Sequence, residues 1–318
     1  MLLVTGGLGF IGSSVVQHYL ESGQAVVASG LATDRVPGNL SRHLGKGLTA
    51  TVADMANPYA VFDLCRANRI ESIIHLAGPL IGALSPAEEM RQNTAGLLNI
   101  LEAARLFRMR RVSMASSIAV YFGLPEGPFN EELTVRLEAS HTIEAYKKAE
   151  EVMGFYYAGQ TGVDLIALRL ASIYGPRYRS RRHLPAQLVH AAVRSLPRAA
   201  LLPDTLPAYS ADDGATDLCY VKDCADGIQR VHESTALRHK SYNIGGGLDV
   251  SNQHFKDAAE ALFGPVASPL EPGRSPRHWP HAVLQLDRIR TDTGYAPRFD
   301  AESAMRDYAE WLRTGEEF

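Results

Sequence analysis

Cysteine is scarce in this chain, with Cys65, Cys219 and Cys224 the only three among 318 residues. Three cannot all pair, and none stands at metal-ligand spacing from another. A disulfide framework and a cysteine-built metal centre are therefore excluded, and a reducing, cytoplasmic setting is expected. Long hydrophobic runs are missing as well. No apolar stretch reaches the ~20 residues that a spanning helix needs, and no basic region precedes the first apolar segment, so neither a membrane partner nor a secretory leader is expected. Charge of one sign is not concentrated either: 32 Lys and Arg stand against 35 Asp and Glu, for a net charge of -3. Without a basic stripe or an acidic tail, nucleic acid is excluded as a partner and small molecules are favoured. Internal repeats and low-complexity tracts are absent too.

What the chain does have comes at its start. Leu2-Leu3-Val4-Thr5 reads as a short buried strand and runs directly into Gly6-Gly7-Leu8-Gly9-Phe10-Ile11-Gly12. The helical pattern Ile11, Val15, Val16, Tyr19, Leu20 follows at once. A strand that reverses into a helix through glycines at this spacing brings backbone N–H groups up to a pyrophosphate, which a Cβ would obstruct. Gly6 permits the turn, Gly9 the close approach, and Gly12 the packing of helix on strand. In this context the motif predicts a dinucleotide site.

Strand-like and helix-like segments then alternate to Tyr174. Expected strands are Leu2 to Thr5, Ala25 to Ser29, Leu48 to Ala53, Ser72 to Leu76, Arg111 to Ala115 and Asp164 to Leu170. Helical patterns span Ile11 to Ser22, Pro58 to Asn68, Pro86 to Phe107 and His141 to Gly159. Such alternation predicts an α/β fold in which helices cover both faces of a parallel sheet. After Pro176 arginines crowd together and prolines punctuate the chain to Pro207, which places the start of a second lobe. The expected division is 1–175 with 217–246 for the dinucleotide-binding domain, and 176–216 with 247–318 for a substrate lobe. Tyr242 to Gly247 reads as a late strand and glycine turn, and the tail with Leu286, Ile289, Tyr295, Tyr308 and Trp311 as short helices closing the second lobe.

Further motifs carry a family resemblance: His75-Leu76-Ala77-Gly78, Asn93 before Gly96 to Ala103, Ser116-Ser117 before Val120-Tyr121, Arg169 before Ile173-Tyr174-Gly175-Pro176, and Tyr220-Val221-Lys222-Asp223. In order and spacing the chain resembles the extended short-chain dehydrogenase/reductase family, which includes nucleotide-sugar epimerases and dehydratases. The resemblance implies a Rossmann-type doubly wound parallel sheet with a smaller C-terminal substrate lobe, binding NAD or NADP. It implies cofactor contacts at Gly6, Gly9, Phe10, Ile11, Gly12, Asp54, Leu76, Ala77, Gly78, Asn93 and Lys147. It also implies a homodimer built on the Pro86 to Phe107 and His141 to Gly159 helices, with Lys148 and Glu150 at its rim or exposed.

The family usually ends its second strand on a carboxylate for the adenosine ribose, where this chain has Gly30. That loss removes a contact to NAD and a repulsion against the 2′-phosphate of NADP, with which Arg35 would pair. The chemistry of the family needs a tyrosine with a lysine four residues later, whose charge lowers the phenol pKa. Two registers compete. One makes Tyr146 the tyrosine and puts Glu150 in the lysine position; the other makes Lys147 the lysine and puts Ile143 where the phenol belongs. Distances to Ser117 and Arg169 favour the second. The expected catalytic residues are then Ser117 to polarise the substrate oxygen, Lys147, and Tyr146, one turn from Ile143, to move the proton, with His141 and Glu144 as further candidates. On the substrate side Ser172 and Thr216 replace a family asparagine and a diphosphate-binding arginine. Arg177, Arg179, Arg181, Arg182, Arg274 and Arg277 offer that charge from other positions.

The expected function is an NAD(P)-dependent epimerase/dehydratase-like oxidoreductase acting on a sugar-like hydroxyl or keto substrate. A dehydrogenase or reductase of a small polyol, hydroxy acid or aldehyde is the first alternative. A catalytically weak dinucleotide-binding sensor or scaffold is the second.

Overall fold

Short aliphatic runs bounded by glycines and polar turns form the strands: β1 (Leu2–Thr5), β2 (Val26–Gly30), β3 (Leu48–Val52), β4 (Ser72–His75), β5 (Arg111–Ser117), β6 (Leu165–Leu170), β7 (Ser172–Tyr174), β8 (Leu218–Tyr220) and β9 (Ser241–Ile244). The helices are α1 (Phe10–Glu21), α2 (Gly38–Ser41), α3 (Pro58–Ala67), α4 (Pro86–Leu106), α5 (Thr142–Thr161), α6 (Leu184–Arg194), α7 (Val221–Glu233), α8 (Asn252–Phe263), α9 (Asp287–Thr293) and α10 (Ala301–Arg313). The computed structural model describes residues 1–31, 36–78, 84–195, 209–214, 217–266, 270–276 and 278–315.

Seven strands pair in parallel in the order β3-β2-β1-β4-β5-β6-β9. Alternation along β1 explains the two-sided burial. Leu2 and Val4 join a core with Val15, Val16 and Tyr19 of α1 and Ile228 of α7. Leu3, between them, packs with α3 and α4 residues such as Val61, Leu97 and Ile100 on the opposite face. Strand order reverses between β2-β1 and β4-β5, which opens a crevice beyond the carboxyl ends of β1 and β4. Helix starts are marked locally: Asn57 caps α3, and Ser85 and Glu88 close a capping box ahead of Pro86 on α4.

A second core lies among β7, β8, α6, α8 and α10, with Leu188, Tyr220, Phe255, Met305 and Tyr308 at its centre. The sequence pattern did not resolve β7, β8, α6 or α8, because three-residue strands that pair with each other carry too short a period to read. In the C-terminal tail, Tyr308 and Trp311 join this second core. Leu286, Ile289 and Tyr295 do not close the second lobe as expected. They pack in the α1 and α7 core beside β9, where the Tyr295 hydroxyl donates to the Gly245 carbonyl at 2.9 Å.

The three cysteines are buried free thiols. Among the described residues no helix is long and apolar enough to cross a membrane, and no group of three or more His, Cys, Asp or Glu side chains is arranged to hold a metal ion.

Three buried histidines tie stability to pH. Burial holds the His75 imidazole down at about 3 and His190 at about 4, and drives His232 well below its ordinary value. Each stays neutral in the fold and takes up a proton on unfolding below pH ~6.5, so the unfolded state binds the excess protons. This stability is present above pH ~6.5 and is lost as the pH falls toward 4, at a rate of at most about 4 kcal/mol per pH unit for three groups. Thermal denaturation between pH 7.5 and pH 4.5 should show a steadily falling midpoint; a midpoint flat across that interval would refute the assignment.

Candidate active site

At the crevice over β1 and β4 the structure opens a cleft of about 510 Å³. Its wall includes Gly6, Gly9, Phe10, Ile11, Gly12, Asp54, Leu76, Ala77, Gly78 and Asn93, residues that lie up to 87 positions apart in sequence. Gly6 has φ +65, and a Cβ on Gly12 would stand 2.0 Å from the Gly6 carbonyl oxygen, so β1 and α1 meet as backbone on backbone. Gly9 caps α1 without any side-chain hydrogen bond. The first-turn N–H groups, which have no partner inside a helix, are thereby left for a ligand at the cleft wall. Ser29 and Gly30 close the far side. Arg35 lies outside the described residues. Asp54 also caps its own turn, accepting the Ala56 N–H at 2.9 Å.

Two buried groups bear on what the cleft holds. Asn93 Nδ2 is buried and has no hydrogen-bond partner among the described residues, a donor in want of a polar ligand. His75 is committed to the fold: its Nδ1 lies 2.7 Å from Thr5 Oγ1, which accepts the Leu76 and Ala77 N–H groups at 3.2 Å each. With both of those donors accepted, the Thr5 proton goes to Nδ1. Burial and, second to it, the Lys147 charge keep this imidazole neutral.

Lys147 marks the other end of the cleft. Its Nζ donates to the carbonyl of Ala115, a cleft residue, at 2.8 Å and to Glu150 Oε2 at 2.7 Å. Ser117, at the end of β5, accepts the Ala119 N–H at 3.1 Å and so caps the 3-10 turn Ile118–Tyr121, leaving its own proton to donate. Ile143 sits in the first turn of α5 with its N–H on His141 Nδ1 at 3.2 Å, which makes His141 the helix cap. Tyr146 turns to α4. Its phenol donates to Glu89 Oε2 at 2.9 Å, and its pKa is pushed up to about 12 by burial and by the Glu89 carboxylate. A proton carrier at neutral pH needs the opposite shift, so the expected union of Tyr146 with Lys147 is not what α5 provides.

Lys148 and Glu150 also depart from expectation. Instead of an exposed rim they form buried pairs within the chain, Lys148 with Glu144 at 2.7 Å and Glu150 with Lys147. Glu144 also accepts the Ser140 N–H at 2.9 Å, which makes it a structural partner at the start of α5.

Glu151, one turn beyond Lys147, carries the contact that fixes α5. It takes two hydrogen bonds from the Arg169 guanidinium, at 3.0 and 2.7 Å, and a third from Ser116 Oγ at 2.5 Å. Arg169 goes on to the Tyr121 hydroxyl at 2.9 Å, and Tyr121 donates to Asn243 Oδ1 at 2.9 Å. One network thus joins α5 to β5, β6 and β9. On the substrate side Ser172 pairs with the Asp217 backbone, and Thr216 and Arg277 lie outside the described residues. Asp217 is fully buried under the N–H groups of Gly246, Gly247 and Leu284, and burial pushes its carboxyl up to about 6. Arg177 is buried with its guanidinium 5.8 Å from the Trp311 ring, while Arg179, Arg182 and Arg274 are exposed.

Comparison with known proteins bears on this arrangement. The model of the NAD dependent epimerase/dehydratase family matches residues 2–245. A dTDP-glucose 4,6-dehydratase of Streptomyces niveus is 27% identical over 334 residues, covering 98% of this chain and 92% of its own. A crystal structure of a UDP-glucose 4-epimerase from Thermotoga maritima, with UDP-glucose, superposes with a TM-score of 0.82 at 21% identity over 99% of both chains. A dTDP-glucose 4,6-dehydratase of Bacillus anthracis in complex with NAD superposes at 0.81 and 19% identity, covering 99% of this chain and 97% of its own.

Removing one member of the α5 clamp strands the other charge. Glu151→Ala should cost about 3–5 kcal/mol, because Arg169 stays buried without its carboxylate. Urea denaturation measures this directly, and a loss below ~1 kcal/mol would show that the pair does not hold the helix.

Proposed function

The chain belongs to the NAD dependent epimerase/dehydratase family, and on that premise we propose that it binds NAD in the glycine-loop cleft and acts on a hydroxyl or keto carbon of a nucleotide-linked sugar. The observation that carries this reading is convergence: ten residues named from sequence as cofactor contacts line one cleft, and Lys147 is bonded to its wall at Ala115. The substrate class follows the relatives, which are a dTDP-glucose dehydratase and a UDP-glucose epimerase.

When bound, NAD supplies a hydride acceptor and donor. The first-turn N–H groups of α1 hold its pyrophosphate, and Asn93 Nδ2 offers the buried donor that lacks a partner. Gly30 supplies no carboxylate to the adenosine ribose, so discrimination against a 2′-phosphate is weak in this reading. Lys147, steered by Ala115 and Glu150, would hold the nicotinamide ribose. Ser117 donates its free hydroxyl proton to the substrate oxygen. Tyr146 is a positioning residue between α4 and α5, and Ile143 leaves its site without a phenol.

A second reading, NAD binding with little turnover, is supported by Ile143 in the register that makes Lys147 the family lysine, together with the commitment of the Tyr146 phenol to Glu89. We further propose that 176–216 and 247–318 supply the substrate lobe, apart from the stretch with Leu286, Ile289 and Tyr295 that packs in the first core. A homodimer through α4 and α5 fits the exposed apolar side chains Met90, Leu98, Val152 and Tyr156 on these two helices.

Binding and turnover are read separately. NADH titration of the full chain, followed by fluorescence, should give saturable binding that Gly12→Ala abolishes and Lys147→Met weakens about tenfold. Binding unaffected by both substitutions would refute the site. With UDP-glucose and dTDP-glucose as substrates, Ser117→Ala should lower kcat about 10²-fold, and Tyr146→Phe should leave it within about twofold. NADH binding without product from any nucleotide sugar offered would decide for the second reading.

Light scattering tests the dimer. The full chain should elute at twice its 34.7 kDa mass, and Val152→Glu should return it to the monomer. A monomeric parent chain would refute the interface.

A further inference from the structure

We propose that the arginine-rich loop after β7, together with His190 of α6 and Tyr308 of α10, forms a second ligand site that takes a phosphoryl group. The site is a pocket of about 170 Å³ lined by Arg177, Arg179, Arg181, His190, Tyr308 and Trp311, and it shares no wall residue with the dinucleotide cleft. It stands independently of the NAD reading.

His190 carries the argument. Its side chain is 4% exposed, its Nε2 lies 3.2 Å from the Tyr308 hydroxyl, and its Nδ1 is buried with no hydrogen-bond partner among the described residues. The proton count selects an orientation. If Tyr308 donates to Nε2, the only unsatisfied group is an Nδ1–H donor; the reverse leaves both an Nδ1 lone pair and the Tyr308 proton unmet. The first arrangement is the cheaper one. A buried N–H donor beside a guanidinium-rich pocket wall calls for an acceptor with several oxygens and negative charge. Burial and the charges of Arg181 and Arg194 keep the imidazole neutral, with its pKa down at about 4, so it enters as a hydrogen-bond donor and not as a cation.

The loop is built rather than loose. Arg177 and Arg181 both adopt left-handed backbone, φ +68 and +48, a region that favours glycine and that arginine occupies at a cost. The Arg182 carbonyl accepts Gln187 Nε2 at 3.1 Å and the Tyr209 hydroxyl, and the Tyr178 ring stacks on His183 at 5.1 Å. Arg177 is buried at 7% exposure with its guanidinium over the Trp311 ring. Planar guanidinium forks match the oxygen spacing of a phosphoryl group, which favours that class over a monoatomic anion.

Trp311 reports on the pocket. The chain has two tryptophans, so a Trp279→Phe variant of the full chain leaves Trp311 as the only indole emitter. Titration with potassium phosphate, at ionic strength held constant with potassium chloride, should change its emission saturably. Isothermal titration of the unsubstituted protein with the same salt supplies a second measurement should Trp279→Phe fold poorly. Arg181→Gln should weaken phosphate binding about tenfold and leave NADH binding, or the melting temperature if NADH does not bind, unchanged. Glucose 1-phosphate and AMP distinguish the sources: tighter binding of either assigns a phosphate ester, and equal or weaker binding assigns inorganic phosphate. No saturable signal in either measurement up to ~50 mM phosphate, weaker than the millimolar range of the feeblest specific ligands, would overturn the proposal. So would an affinity that Arg181→Gln does not change.

Discussion

The pair of Arg169 and Glu151 is the contact on which the reacting end of this molecule depends. Two hydrogen bonds join the side chains, both of which are under a tenth exposed, and a third from Ser116 completes the carboxylate. A carboxylate and a guanidinium out of water are tolerated only when paired and hydrogen-bonded in this way. The consequence is geometric. Glu151 is one helical turn from Lys147, so clamping it to β5 and β6 sets the rotation of α5 about its axis and brings Lys147 to the Ala115 carbonyl. Tyr121 and Asn243 extend the same network to β9, and Glu131 closes it by accepting the Asn243 N–H at 2.8 Å.

Two ends of one cleft are built by different means. At the glycine-loop end backbone shapes the wall: glycines let β1 and α1 touch, and Gly9 caps the first helical turn without a side-chain hydrogen bond. At the Lys147 end side chains set the geometry. A phenol that would serve proton transfer is bound to a carboxylate on α4, which holds its proton more tightly. The lysine that would lower a phenol pKa is balanced by Glu150.

Much of the fold was legible because it is written locally. The glycine turn, the short apolar strands and the helical patterns between them are each set by residues close in sequence, and they appear close to where the pattern put them. The second core was legible only in its last helix, where Tyr308 and Trp311 were expected. Its strands β7 and β8 are three residues each, and its helices bury faces against one another and against those two strands. In the C-terminal tail, apolar spacing marked Ile289 and Tyr295 as helical residues of the second lobe, whereas packing gives them to the core beside β9.

The sequence by itself determined the alternation of strands and helices and the glycine loop, since these follow from the periods of strand and helix and from the steric demand of backbone on backbone, while the other residues that line the cleft were named from the family resemblance. Tertiary structure alone decided the partners. Tyr146 meets Glu89 across 57 positions, Tyr121 meets Asn243 across 122, and His190 meets Tyr308 across 118. No local pattern encodes such pairs. A side chain's pKa and its spare hydrogen-bonding capacity depend on which distant groups the packing brings to it, and those two properties separate a proton carrier from a structural tyrosine.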